Sequence, residues 1–254
     1  MPVENLFYVG RAVELVDAAR DRGITLRILG SLAYRLHCPA NIGFFEAMKR
    51  DLTDIDFAAN GEQRKEVRDY LAGLGLVIDH DILVTTEGKR YAFTDPATGM
   101  NVDVFFDELF FCHPITFRGR LELDYPTITP TDLLLEKMQI VEINPKDVKD
   151  SLVLLLEHPV TPNTPDAIDP DYIARLLAAD WGFYYTFTTN LMRLESEMPK
   201  VAFPAESTSL VHGRIEELMQ RIERARKSTA WKLRAKIGTR IKWYQEVAEK
   251  GQTF

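Results

Sequence analysis

Five residues have types and spacing suited to binding divalent cations and a phosphorylated ligand: Gly30, Ser31, Asp54, Asp56 and Asp103. Side chains alternate across a β-strand, so we expect Asp54 and Asp56 on one strand face and Ile55 on the other. Asp103 lies in a second apolar, strand-like run at 101–106. Three carboxylates gathered in one place repel one another, and oxygen-binding divalent cations relieve that repulsion.

The pair Gly30 and Ser31 could bind the phosphates. A glycine that ends a buried strand, followed by a serine at a helix start, lets a polyphosphate approach backbone N–H groups. Two divalent cations about 3.5 to 4 Å apart stabilise the attacking and leaving oxygens of phosphoryl transfer. The residues therefore predict metal-dependent phosphoryl transfer. The alternative is that Asp54 and Asp56 are ordinary acids beside a turn and that Asp103 is unrelated to them.

Hydrophobic periodicity predicts the elements that position these residues. The first part of the chain alternates helices and strands, at 5–20 (helix), 24–29 (strand), 32–37 (helix), 53–58 (strand) and 62–74 (helix). Short extended runs follow at 76–78, 82–85, 89–93, 102–106 and 121–123. The polar segment 94–99 predicts a hairpin connection between two of them. The pattern favours an antiparallel or mixed sheet with flanking helices, an α+β fold.

A helical region begins at Thr129, which is a good N-cap residue before Pro130. The predicted helices are 133–143, 146–156, 171–178, 181–197 and 210–227. The segment 158–170 contains four prolines and predicts a linker. We therefore expect an α/β domain at 1–128 and a helical domain at 129–254.

Composition restricts the class of protein. The 254 residues are 46% hydrophobic and 27% charged, which is typical of a globular chain. The formal charge of −7 argues against a surface that is basic throughout. No secretion signal is evident and no apolar run reaches the roughly 20 residues that a membrane span requires. Two cysteines are too few for a disulfide framework, so we expect a cytoplasmic protein without a membrane partner.

The order of these residues resembles the DNA polymerase β-like nucleotidyltransferase superfamily. That signature is a Gly-Ser or Gly-Gly pair, then Asp-x-Asp, then a third acid on a later strand, and the five residues named above match it. The resemblance covers roughly residues 6–107. It implies a small mixed sheet with flanking helices, catalytic acids Asp54, Asp56 and Asp103 that bind two Mg²⁺ ions, with Mn²⁺ as an alternative, and a nucleoside triphosphate held at Gly30 and Ser31.

The helical region is similar to a pattern in minimal nucleotidyltransferases, among them toxins of type IV toxin-antitoxin systems. That similarity implies that Lys137 contacts the triphosphate and that Asp150 supports the site. It also implies transfer of a nucleoside monophosphate to a hydroxyl of an acceptor, which is a tRNA, a small molecule or a protein. An antitoxin-like protein would then be a further partner. The alternative function is a non-catalytic module that keeps the fold and binds a nucleotide or a partner.

The segment between Ser31 and Asp54 is longer than is usual in that family, and the excess falls at 39–51. A loop beside a nucleotide site often forms a lid or an acceptor contact. Its predicted phosphate ligands are Arg35, Lys49 and Arg50, and Phe44 or Phe45 could stack on a base.

Two further patterns leave alternatives open. The segment 214–242 carries ten basic and three acidic residues interleaved with Trp231, a composition compatible with RNA contact or with a solvated helical face. The pairs His37-Cys38 and Cys112-His113 raise the question of zinc. Neither has the Cys-x-x-Cys spacing of a structural zinc site, which favours a packing role.

Overall fold

The computed structural model describes residues 3–47, 52, 54–201 and 203–246. The chain divides into two compact units. Unit 1 contains the described residues up to Leu109 together with Ile115–Thr129, and unit 2 contains Phe110–Pro114 together with the described residues from Pro130 onward. Among the described residues, no helix combines the length and the apolar character that crossing a bilayer requires.

Unit 1 alternates helices and strands as the sequence predicts. Its elements are α1 (Val3–Arg20), β1 (Leu26–Leu29), α2 (Gly30–His37), α3 (Ile42–Ala47), β2 (Asp54–Ala59), α4 (Arg64–Gly73), β3 (Val77–Ile78), α5 (His80–Thr85), β4 (Arg90–Thr94) and β5 (Asn101–Phe106). Two short strands, β6 (Glu108–Phe110) and β7 (Pro114–Thr116), then form a separate two-stranded sheet.

The main sheet of the described residues has five strands in the order β1-β2-β5-β4-β3. β1 and β2 are antiparallel, β2 and β5 are parallel, and β4 is antiparallel to both β5 and β3. The apolar residues of the two central strands, such as Ile55, Phe57, Val102 and Val104, are fully buried. The predicted mixed α/β class with helices beside a mixed sheet is confirmed.

Two predicted strands are wrong. Residues 82–85 belong to α5, because Oδ1 of Asp79 accepts the N–H groups of Asp81 and Ile82 at 2.9 and 3.1 Å and caps the helix. Residues 121–123 form turns, in which the N–H of Leu123 donates to the carbonyl of Arg120.

The segment 39–51 is not a plain loop, because it contains the short helix α3. Phe45 is only 1% exposed, and the Arg35 guanidinium lies 5.5 Å from its ring centroid. Phe45 therefore belongs to the core and cannot stack on a base, whereas Phe44 is partly exposed. The predicted phosphate ligands Lys49 and Arg50 lie outside the described residues.

The helices of unit 2 are α6 (Pro130–Met138), α7 (Pro145–Glu157), α8 (Pro170–Ala179), α9 (Trp181–Glu197), α10 (Ala205–Arg224) and α11 (Thr229–Ile237). Asn144 and Asp169 cap α7 and α8, each directly before a proline at the first helical position. The proline-rich segment 158–170 connects these two helices within unit 2. It carries a parallel β-bridge between Val160 and Ile168, both of which are buried.

Candidate active site

The register of the main sheet gathers the three predicted acids on one face. β2 and β5 are parallel neighbours, and Asp56 is the direct partner of Asp103. Neighbouring strands lie about 4.8 Å apart, and directly paired residues project to the same side of the sheet. Asp54 precedes Asp56 by two residues in β2 and shares its face. We call Asp54, Asp56 and Asp103 the acid patch.

Gly30 lies where β1 ends beside the acid patch. Leu29, the last residue of β1, pairs with Asp56, and Gly30 follows with a φ of +68° as the first residue of α2. A Cβ at position 30 would lie 2.6 Å from Oδ2 of Asp56, closer than real Cβ atoms approach another atom. Glycine alone satisfies both the left-handed backbone and the close approach to the carboxylate.

The N-terminus of α2 therefore begins next to the acid patch. The Leu29 side chain makes no capping hydrogen bond, and the first turn contains no acidic residue. The N–H groups of a first helical turn and the helix dipole both favour a bound anion. Ser31, in the same turn, is partly exposed. A phosphate at this point would meet helix N–H donors close to the carboxylates.

Arg90 is a countercharge within the acid patch, where it pairs with Asp103. Its Nε and Nη2 atoms donate to Oδ1 and Oδ2 of Asp103 at 3.1 and 2.7 Å, a bidentate ion pair. The side chains are 23% and 5% exposed, so Asp103 is held in a partly desolvated setting.

Sequence reasoning missed Arg90, although the predicted hairpin contained the signal. Pairing outward from the 94–99 turn sets Thr94 opposite Asn101 and Arg90 opposite Phe105. Phe105 is two residues from Asp103 and on the same face, so the diagonal neighbour of Asp103 on β4 is Arg90.

The acid patch is chemically suited to a hard divalent cation. Its donors are carboxylate oxygens, which Mg²⁺ and Mn²⁺ prefer as ligands. Asp54 and Asp56 are partly exposed whereas Asp103 is buried. An entering cation would therefore reach Asp54 and Asp56 before Asp103.

Arg35, a predicted phosphate ligand, lies one turn after Ser31 in α2. Its Nη1 donates to the Ser31 carbonyl at 3.1 Å, and the residue is 5% exposed. The structure thus places Arg35 beside the Gly30-Ser31 turn, where it packs on α3 through Phe45.

Lys137 and Asp150, the other predicted nucleotide contacts, lie in unit 2, on α6 and α7. Lys137 Nζ is 3.0 Å from Oε1 of Glu136 and 3.2 Å from Oδ1 of Asp147. Burial alone would lower the pKa of Lys137, but the charges of Glu136, Asp147 and Asp150 outweigh it and raise that pKa above its ordinary value. Within unit 2 the lysine is thus the cation of an acidic cluster, and its contact with a triphosphate stays a prediction.

The two histidine-cysteine pairs have packing partners. Cys38 and Cys112 are buried, and neither forms a disulfide. His37 Nε2 lies 2.7 Å from Oγ1 of Thr127, and His113 Nε2 lies 2.8 Å from Oγ1 of Thr186. Burial lowers the pKa of His113 to about 4, which keeps this ring neutral near pH 7.

Several basic residues of 214–242 make contacts within unit 2. Arg214 Nη1 donates to the carbonyls of Leu155 and Leu156, both at 2.8 Å, and Arg234 Nη1 donates to the Gly238 carbonyl. Trp231 Nε1 donates to the Leu177 carbonyl at 3.0 Å. These contacts account for part of the basic segment, and its contact with RNA stays a prediction.

Comparisons of the chain with protein-family models, with curated proteins and with solved structures found no match. The geometry of the acid patch and the resemblance carried by its residues are thus the indications of function.

Proposed function

We propose that this protein is a metal-dependent nucleotidyltransferase that moves a nucleoside monophosphate from a nucleoside triphosphate to a hydroxyl group. The observation that carries the proposal is the direct pairing of Asp56 with Asp103, with Asp54 on the same face. Sheet register thus brings together acids that are 47 residues apart in the sequence. Gly30 and the N-terminus of α2 lie at the same place, as a phosphate site requires.

Each residue has a defined task in this proposal. Asp54 and Asp56 would hold the cations, with Asp103 as a third ligand, and the first turn of α2 would bind the phosphates through its N–H groups. Bound Mg²⁺ would supply charge stabilisation at the reacting phosphate and lower the pKa of the attacking hydroxyl. The acceptor oxygen forms a bond to the α-phosphorus as the bond to the bridging oxygen breaks. Pyrophosphate leaves with the electron pair, and the hydroxyl proton passes to Asp103 or to solvent.

Arg90 acts in this scheme as a positioning residue for Asp103. Its two donors fix the orientation of the Asp103 carboxylate. The Asp103 carboxylate is therefore held in place on the sheet face that also carries Asp54 and Asp56.

The same ion pair favours the second candidate function, a non-catalytic module that binds a nucleotide. With Asp103 neutralised by Arg90, the acid patch can exist without metal, and two acids beside a helix N-terminus suffice to bind a metal–nucleotide complex. The two functions differ in turnover, which an assay measures directly.

The test incubates the protein with each nucleoside triphosphate labelled at the α-phosphate, Mg²⁺, and tRNA, small-molecule or protein acceptors. We expect label on one acceptor class, dependence on Mg²⁺, and loss of labelling in Asp56→Asn. Asp69→Asn, which removes an exposed carboxylate on α4, is the matched control and should keep full activity. If no triphosphate gives labelling that depends on Asp56, the proposed nucleotidyltransferase activity is wrong. Magnesium-dependent triphosphate binding in calorimetry without any labelling would establish the module instead.

A further inference from the structure

A cleft of about 640 Å³ lies within unit 2, between α8, the C-terminal end of α10 and the turn that leads into α11. Alanines of α8, among them Ala174 and Ala178, form part of its lining. The charged residues that line it are Arg175, Arg221, Arg224, Arg226, Lys227 and Asp171. Five cations therefore surround the cleft against one carboxylate. We call it the basic cleft.

Its volume falls in the range of ligand-binding pockets, roughly 300–1,000 Å³. The single carboxylate is already engaged, since Asp171 pairs with Arg221. Arg175, Arg224 and Arg226 are exposed, so their guanidinium groups are accessible to a ligand. Positively charged side chains around a concave surface focus the electrostatic field and concentrate anions there.

Helix capping explains only part of this charge. Lys227 Nζ donates to the carbonyls of Ile222 and Glu223 at the end of α10, and Arg224 lies in the last turn of that helix. Cations at these positions complement the helix dipole. Arg175, however, lies in the middle of α8, and Arg226 lies beyond the end of α10. Neither has a capping role that would place it in the cleft.

The start of α11 adds donors to the same cleft. Ser228 lines the cleft and caps α11 by accepting the N–H of Trp231 at 3.0 Å. The first turn of α11 carries no acidic residue, so its dipole is not offset by a local carboxylate. Arginine guanidinium groups and the N–H groups of a first helical turn both typically donate hydrogen bonds to phosphate oxygens.

We propose that the basic cleft binds consecutive phosphate groups of a polyanion, as carried by a single-stranded RNA backbone or by a free polyphosphate chain. Several guanidinium groups in one cleft match a ligand with several phosphates better than they match a single anion. The proposal concerns unit 2 alone and holds whether or not the acid patch catalyses nucleotidyl transfer.

Binding is measured by fluorescence anisotropy of a labelled single-stranded RNA oligonucleotide over a salt series, and by calorimetry with inorganic tripolyphosphate. The cleft variant is Arg175→Gln with Arg224→Gln. The matched control is Arg193→Gln with Lys200→Gln, which removes the same charge from α9 and the turn after it. Removing two phosphate contacts to a single strand should lower the salt-dependence slope by about 1.4 and weaken binding at least tenfold. The control should change neither.

The two arms separate the sources of the phosphates. If the cleft variant loses affinity for RNA but not for tripolyphosphate, the ligand is a nucleic-acid backbone. If it loses affinity for tripolyphosphate but not for RNA, the ligand is a free polyphosphate chain. Equal behaviour of cleft and control variants with both ligands would overturn the proposal. If the double variant fails to fold, Arg226→Gln, in the turn after α10, replaces it, with a slope decrease of about 0.7 as the expected result.

Discussion

The acid patch of unit 1 and the basic cleft of unit 2 are opposite in charge and different in construction. The acid patch is built on the two central strands of a sheet, and its innermost acid is buried against Arg90. The basic cleft is built on helix surfaces and a turn, and Arg175, Arg224 and Arg226 are exposed around it. Strand register fixes the positions of the carboxylates in the acid patch. The cations of the basic cleft are positioned by helix packing, which the local sequence pattern does not encode.

The first prediction concerns activity at the acid patch. Asp103→Asn removes the charge of the innermost acid but keeps its shape, and we expect nucleotidyl transfer to fall about a thousand-fold, or about 4 kcal/mol in the barrier. Initial rates at saturating triphosphate and Mg²⁺ measure this effect. A variant that keeps wild-type rates would remove Asp103 from the mechanism.

The second prediction tests the close packing of the acid patch. Gly30→Ala introduces both a strained φ and a contact with the Asp56 carboxylate, and should cost about 3 kcal/mol of unfolding free energy. Gly23→Ala is the matched control, because Gly23 has a φ of +73° but nothing within 4 Å of its added Cβ. It should cost only about 1 kcal/mol in urea denaturation. Equal costs would mean that the contact with Asp56 contributes nothing.

The third prediction concerns His113, a buried histidine of unit 2. The pKa of His113 is lowered from 6.5 to about 4, because the ring is buried. Between these pH values the unfolded chain binds more protons than the folded protein does. The free energy of unfolding should therefore fall by about 3 kcal/mol in total as the pH drops from 6.5 to 4.

Urea denaturation across this pH range gives the slope. His113→Asn should flatten it, while His212→Gln, which changes an exposed ring on α10, should leave it unchanged. The same slope in all three proteins would assign the pH dependence to other groups.

The fourth prediction concerns the countercharge of the acid patch. Arg90→Gln leaves the buried Asp103 carboxylate without its guanidinium and should cost about 2 kcal/mol of stability. Millimolar Mg²⁺ should restore more stability to this variant than to the wild type, because a cation replaces the lost charge. Arg118→Gln, at a largely exposed arginine beside Asp107, is the control and should change stability by less than about 0.5 kcal/mol. A variant that Mg²⁺ does not stabilise would argue against a metal at Asp103.

The smallest expected effect belongs to the basic cleft. Arg224→Gln removes an exposed guanidinium that donates a 3.5 Å hydrogen bond to Oε1 of Gln220. We expect a stability change within about 0.5 kcal/mol, although polyanion binding falls. Thermal denaturation measures it. A large loss would show that this cation stabilises the fold, and the contrast between the two charged regions would no longer hold.

The acid patch could be predicted from sequence because a strand encodes its own geometry. Alternation gives Asp54 and Asp56 a common face. The periodic pattern likewise predicted α9 with its observed bounds of 181–197. The direct pairing of Asp56 with Asp103 needed the tertiary register, which the pattern only suggested.

Other features depended on contacts that local periodicity does not contain. Residues 82–85 have the composition of a strand, but the cap by Asp79, directly before α5, stabilises a helix there. Helix α11 is short and basic, without a buried residue, so its hydrophobic pattern is weak. The basic cleft joins α8 to residues about 50 positions later, a distance over which no sequence period operates.

The passage of residues 110–114 into unit 2, between two stretches of unit 1, has a consequence for the order of synthesis. The described part of unit 1 is complete once Thr129 has left the ribosome, so it can fold early. Three contacts of this segment are with residues that emerge later: Gln139 accepts the N–H of His113, Thr186 contacts its ring, and Gln245 donates to the Cys112 carbonyl. Residues 110–114 can therefore complete these contacts only after residues near position 245 have been synthesised. Removal of Gln245 would take away the hydrogen bond to the Cys112 carbonyl.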